Sequence, residues 1–277
     1  MLEMPFLSIL RIDHLLIHEQ YDEQRANPLI LKIRTSKVIR NPAVVIPLND
    51  GTNRFMVLDG ANRVTALRQL GIRHVLSQVV EPDAPGLTLY NWNHVVWELD
   101  ALRFIQGIQR VPGIQLVYER NRASQPNLMD DCQLALVQDC HGRLLSICSQ
   151  ADTLEERVEI LNEIVDSYQY KARLDRTSVQ DVIMLEDIYP TLAGLVIFPE
   201  FNIDDLLKLA GKACLLPAGI TRFSIAPRAL HLDYPLSELA ADKSIEEKNQ
   251  SLENWIRERV SSKRVRYYAE PTYLFDE

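Results

Sequence analysis

The sequence is short of cysteine, of positive charge and of long apolar runs. Its four cysteines in 277 residues, Cys132, Cys140, Cys148 and Cys214, are too few for a disulfide framework. They form no CxxC pair and no Cys/His spacing of the zinc type. The even spacing of the first three fits strand positions better than ligands, so the thiols read as reduced and structural. The longest apolar run, Leu192 to Phe198, is far shorter than a membrane span. No basic segment precedes an apolar core at the N-terminus, where Glu3 and Pro5 stand. The expectation is a cytoplasmic chain with no membrane partner. Lys plus Arg total 30 against 38 Asp plus Glu, a net charge of −8. A protein that neutralises duplex phosphates normally carries a basic excess, so nucleic acid is not expected as a partner. The short cluster Lys263-Arg264-Val265-Arg266 follows a Glu-rich helix and reads as a cationic helix end.

What is present is ordinary globular material, 47% hydrophobic and 25% charged, and the length suggests two domains. Strand-like and helix-like patterns alternate, so the class is α+β. Asn27 and Pro28 suggest a helix start running to about Lys37. Ala43 to Leu48 and Arg54 to Leu58, joined by Asn49-Asp50-Gly51, read as a hairpin. A short helix follows from Asn62 to Leu70 with Gly71 as its stop, then a strand from His74 to Val80. The run Glu81-Pro82-Asp83-Ala84-Pro85-Gly86 breaks the pattern and divides the chain into residues 1–81 and 87–277. Beyond it the pattern predicts a strand through Trp92 to Trp97, a helix over 100–107 and strands over 115–118, 134–138, 144–148 and 195–198. Helices are expected from Thr153 to Tyr168 and from Ile203 to Ala213. A charged, peripheral helical stretch is expected from Ser237 to Ser262. No heptad seam or internal repeat is present to fix an oligomeric state.

The strand–turn–helix junction Leu58-Asp59-Gly60-Ala61-Asn62-Arg63 is the most informative segment. Glycine at a helix start lets main-chain N–H groups approach an anion, and the helix N-terminus favours negative charge. Arg63 can add a bidentate contact to phosphate. Asp59 at the strand end is suited to hold a metal ion or position a hydroxyl. Taken alone, Asp-Gly here is an ordinary turn and Arg63 an ordinary surface residue.

The order in which these pieces occur carries more. Ile12 to His18-Glu19, a helix, Arg40-Asn41-Pro42 with an apolar strand, then Val57-Leu58-Asp59-Gly60-x-x-Arg63 with Ala66-Leu67 and Gly71 resembles the ParB/sulfiredoxin-like N-terminal fold over about residues 7–80. Within that group the chain is most similar to the free L-serine kinases. The resemblance implies a ParB-like nucleotide-phosphate-binding domain followed by a larger mixed α/β substrate-binding domain. It implies transfer of a phosphoryl group from ADP or ATP, with Mg2+, to the hydroxyl of free L-serine, giving O-phosphoserine. Sulfiredoxins need a cysteine after the turn glycine, and Ala61 stands there. Partition proteins continue with a helix-turn-helix and a basic surface, whereas a strand-rich acidic region follows here.

On this resemblance Glu19 corresponds to the general base acting on the serine hydroxyl, and Asp59 positions the metal or nucleophile. Gly60, Asn62 and Arg63 would bind nucleotide phosphates. The segments Asn91-Trp92-Asn93-His94 and Pro217-Ala218-Gly219-Ile220-Thr221-Arg222 resemble those forming the serine pocket, which assigns Trp92, His94, Thr221 and Arg222 to substrate. An arginine beside a hydroxyl suits an amino-acid carboxylate. The sequence departs from the kinase pattern at Ala61 and Asn62, where histidines are usual, and at Phe223. A second reading therefore stands beside the first: a non-catalytic ParB-like regulator that binds a nucleotide or metabolite.

Overall fold

The computed structural model describes residues 4–20, 23–119, 128 and 132–268. The chain opens with β1 (Phe6–Arg11), β2 (Leu15–Leu16), α1 (Glu23–Ser36), β3 (Val38–Ile39), β4 (Ala43–Pro47), β5 (Phe55–Asp59), α2 (Ala61–Gln69) and β6 (His74–Val79). Five of these strands form a sheet ordered β1-β6-β4-β5-β2. The expected hairpin is there: β4 and β5 run antiparallel with Val45 opposite Val57, and Gly51 takes φ 80° in the turn. Helix α1 begins at Glu23, so Asn27 and Pro28 lie inside it rather than at its start. A proline this near the N-terminus removes only one main-chain donor, so it is a loose marker of where a helix begins.

Burial on both faces explains why β4 and β5 are apolar up to Asp59. Ala43, Val45 and Val57 face one core with Ile9, Val64 and Leu67. Val44, Ile46, Met56 and Leu58 face the opposite way, into a second core with Val96, Phe104 and Leu161. Successive side chains point to opposite faces, so a sheet covered on both sides has no polar positions to spare.

The second core belongs to β7 (Leu87–Asn91), β8 (Asn93–Trp97), α3 (Ala101–Gln109), β9 (Ile114–Tyr118), β10 (Gln133–Asp139), β11 (Leu144–Ser149), α4 (Leu154–Asp166), β12 (Arg173–Thr177), β13 (Leu192–Ile197) and α5 (Ile203–Gly211). Six strands form an antiparallel sheet ordered β12-β8-β13-β10-β11-β9. These helices start at capping side chains. Asp100 accepts from Arg103 N at 3.0 Å, Thr153 and Glu156 form a capping box, and Asn202 accepts from Asp205 N at 2.8 Å.

The strand expected over Trp92 to Trp97 is β8, and a strand that was not expected, β7, ends just before Trp92. β7 pairs with β14 (Thr221–Ile225), while β8 enters the large sheet. Two asparagines flank the break. Asn91 donates to Phe198 O at 3.3 Å and Asn93 to Val179 O at 2.9 Å, taking up main-chain acceptors beside the break.

The stretch expected to be peripheral is not. After β15 (Tyr234–Pro235), α6 (Leu236–Ala240) and α7 (Ile245–Ser261), the side chains of Tyr234, Leu239 and Leu252 are buried in the first core. Asn249 binds both the N–H and the carbonyl of Ile9, at 2.8 and 3.0 Å. Even Lys248 is buried, donating to Leu239 O at 2.7 Å and His74 Nδ1 at 3.0 Å. The charge seen in the sequence lies on the outer face of an amphipathic helix. Residues 234–256 thus pack with the first 80 residues, against the sheet that holds β1.

Candidate functional site

A cavity of about 570 Å³ opens between the two sheets, within the size range of small-molecule sites. Its walls include Glu19, Asp59, Gly60, Asn62, Arg63, Trp92, Thr221 and Arg222, every residue assigned from sequence except His94. Four arginines, Arg63, Arg176, Arg222 and Arg228, line it against two carboxylates, Glu19 and Asp59. A chain of net charge −8 therefore carries a locally cationic cleft, which concentrates anions.

The turn after β5 builds one side. Gly60 takes φ 96° and caps α2 without any side-chain acceptor, so the first amides of the helix keep their donors for a ligand. Arg63 behaves differently from expectation. Its guanidinium folds under the turn and donates to Pro42 O at 2.7 Å, and a Cβ on Gly60 would sit 2.5 Å from Arg63 Nη1. Glycine is required there for close approach as well as for its φ. Burial pushes the Arg63 pKa down to about 10, which leaves it cationic at neutral pH. Asp59, half exposed, forms an ion pair with Arg228, a residue the sequence did not single out.

Glu19 is held from the other side. Its main chain bridges to Leu216, with Leu216 N donating to His18 O and Gln20 N to Leu216 O, each at 2.8 Å. Its carboxylate accepts from Gly219 N at 2.6 Å, Thr221 N at 2.7 Å and Thr221 Oγ1 at 2.6 Å. Thr221 is therefore a partner of Glu19, some 200 positions away in sequence, as well as a wall of the cavity.

Arg222 stacks over Trp92 at 4.7 Å and Tyr90 at 5.8 Å, so the aromatic and the arginine assigned to substrate come together as one unit. Arg176, from β12, lays its guanidinium on the backbone of Gly219, where any Cβ would overlap it. His94 lies behind this wall. It is buried, 3.2 Å from Tyr168 Oη and edge-on to Phe198 at 4.8 Å. Burial, then the charge of Arg176, lowers its pKa from 6.5 to about 3. The structure brings His94 to the core beneath the cavity, not to its surface. Arg176 and Arg228 were missed because isolated arginines on an edge strand and in a loop carry no local signal.

No family model matches the chain. It is 25% identical over 281 residues to the ATP-dependent L-serine kinase SbnI of Staphylococcus aureus, covering 98% of this chain and 97% of that protein. It is 29% identical over 84 residues to an ATP-dependent L-serine kinase of Desulfurococcus mucosus, a match covering 30% of this chain and 32% of that one. Among solved structures, C-terminally truncated SbnI from Staphylococcus aureus superposes with a TM-score of 0.71 at 21% identity, covering 92% of this chain and 97% of that one. A free serine kinase in complex with AMP gives a TM-score of 0.70 at 13% identity, covering 86% and 95%. The α+β fold expected from the resemblance is the fold these structures share with this chain.

Proposed function

We propose that the chain is an ATP-dependent free L-serine kinase. The observation that carries this reading is the cavity itself, which gathers a carboxylate base, a helix N-terminus with open donors, a second carboxylate and four arginines. The near-full-length likeness to a curated L-serine kinase supports the same reaction. Phosphoryl transfer needs positioning and charge stabilisation more than covalent chemistry, and those parts are present.

In this reading Glu19 accepts the serine hydroxyl proton, the amides of Gly60 to Asn62 and the Asn62 side chain meet the phosphates, and Arg63 supports the turn with its charge. Trp92 walls the serine site, and Arg222 with Arg176 faces the amino-acid carboxylate. Mg2+ binds through one or two carboxylates plus substrate phosphates. Asp59, half exposed in the cavity wall, would be the residue to hold it. When bound, the ion neutralises phosphate charge. The Asp59–Arg228 pair would open as phosphates arrive, freeing both groups for the donor. His94 acts from beneath by packing the floor, and Asn62 replaces an imidazole as a neutral donor.

The test is direct. Serine incubated with Mg2+ and separately with ATP, ADP and CTP is assayed for O-phosphoserine by mass spectrometry. Product with ATP is expected; tight nucleotide binding without product from any donor would favour the non-catalytic regulator instead.

A further inference from the structure

We propose that His18, Thr221 and Glu19 form a proton relay that sets the strength of Glu19 as a base. The inference rests on the kinase reading for its catalytic consequence, but the relay itself stands on geometry. A carboxylate offers about four acceptor positions. Three on Glu19 are taken, two on Oε1 by Thr221 and one on Oε2 by Gly219 N. One position on Oε2 is left for substrate. On the far side, Thr221 Oγ1 lies 2.8 Å from His18 Nε2, and His18 Nδ1 lies 2.8 Å from Val57 O.

Counting protons makes the arrangement specific. A main-chain carbonyl only accepts, so Nδ1 carries a hydrogen. The Thr221 hydroxyl has one hydrogen and two close neighbours. If it donates to Glu19, then Nε2 must also carry a hydrogen for the other contact to be a bond, and His18 is an imidazolium. If it donates to Nε2, His18 is neutral and Glu19 must hold a proton. The chain is fully bonded only with one proton beyond the hydroxyl's own, shared between His18 and Glu19. When that proton is absent, the hydroxyl chooses one neighbour.

During transfer the serine hydroxyl proton passes to Glu19 Oε2. The serine O–P bond forms, the P–O bond to the nucleotide breaks, and the bonding pair leaves with the nucleotide. With His18 neutral, the Thr221 hydrogen turns from Oε1 to Nε2 as Glu19 loses its charge, so the protonated carboxyl costs less. With His18 charged, Nε2 carries its own hydrogen and that turn is blocked, so the carboxyl must form with Thr221 still donating to Oε1. Turnover therefore rises as His18 loses its proton.

The ring is buried and covered edge-on by Phe223 at 5.6 Å. Burial pulls its pKa down, while Glu19, 4.0 Å from Nε2, and the Val57 carbonyl pull it back up. The other charged groups facing this cavity are Asp59, Arg63, Arg176, Arg222 and Arg228. Asp59 is already paired with Arg228 and Arg63 with Pro42 O.

Nitrogen-15 shifts of His18 followed against pH in the full chain test the relay without requiring turnover. Wild type and Thr221→Ser should titrate alike, whereas Thr221→Val and Glu19→Gln should move the His18 midpoint down by about one pH unit. In parallel, kcat for O-phosphoserine should show an acidic limb at the His18 midpoint in wild type and Thr221→Ser. In Thr221→Val kcat should fall about tenfold and lose that limb. A His18 midpoint unmoved by both Thr221→Val and Glu19→Gln, or an imidazole that never gains a proton while the chain stays folded, overturns the relay. Absence of O-phosphoserine from wild type would overturn the kinase reading alone, since the His18 titration is read separately.

Discussion

The Glu19 end and the Asp59 end of the cleft hold their carboxylates by opposite means. Glu19 is bound by neutral donors, two amides and a hydroxyl that fix its direction. Asp59 is bound by a cation, Arg228, and is half exposed. Neutral dipoles orient a carboxylate while leaving it one negative charge. An ion pair cancels that charge until a stronger partner competes. On the proposed reading, the first arrangement suits a base that must stay in one place, and the second a group that would exchange partners on ligand binding.

Replacing Glu19 tests the first half of that contrast and should have the largest effect. Glu19→Gln should lower kcat for O-phosphoserine about a thousandfold, with nucleotide affinity by calorimetry changed no more than about twofold. An unchanged kcat would remove Glu19 as the base. At the other end, Asp59→Asn should lower turnover about ten- to a hundredfold and raise the Mg2+ concentration for half-maximal rate, as read from Mg2+ titrations. If the Mg2+ dependence is unmoved, Asp59 does not hold the ion. Chelation should stop the wild-type reaction, and added Mg2+ should restore it.

The wall behind Glu19 should respond to pH. His94 is held neutral, its pKa lowered from 6.5 to about 3, so unfolding takes up a proton between those values. Its contribution is complete above pH 6.5 and is lost as pH falls toward 3. The slope is about 1.4 kcal/mol per pH unit within that window. Denaturant midpoints should fall from pH 7 to 5, and His94→Gln should flatten that slope. Arg176→Ala should raise KM for serine about tenfold with kcat less affected, sharpening the assignment of carboxylate recognition to the Glu19 side. Gly219→Ala, with φ +74°, should cost about 1–2 kcal/mol and displace the Arg176 guanidinium, which a thermal melt and the serine KM would both register.

Much of the first unit was legible because its signals are local. The Asn49-Asp50-Gly51 turn fixes a hairpin, and Asp59-Gly60 followed by helix formers fixes a strand–turn–helix with open amides. The long helix after Thr153 was equally readable, and the structure gives it a capping box. Where signals are not local, reading along the chain went astray. The strand before Trp92, β7, gave no signal because its partner β14 lies far along the chain. The helices after Tyr234 bury one face because they return to a core built from residues 9–76, and surface charge along the other face hides that. His94 sits two positions from Trp92, yet the break between β7 and β8 leaves Trp92 outside both strands, so alternation does not carry the two side chains to one face.

The sequence by itself determined the α+β class and the strand–turn–helix with open amides at Asp59 to Arg63. Those follow from patterns spanning a few residues, where propensity, turn geometry and residue type act together. Only the tertiary structure decided which groups share the cleft. Thr221 reaches Glu19, Arg228 reaches Asp59 and Arg176 lies on Gly219 because burial of both faces of one sheet forces distant segments together. Hydrophobic burial is non-directional and leaves no mark on the polar residues it happens to place in contact.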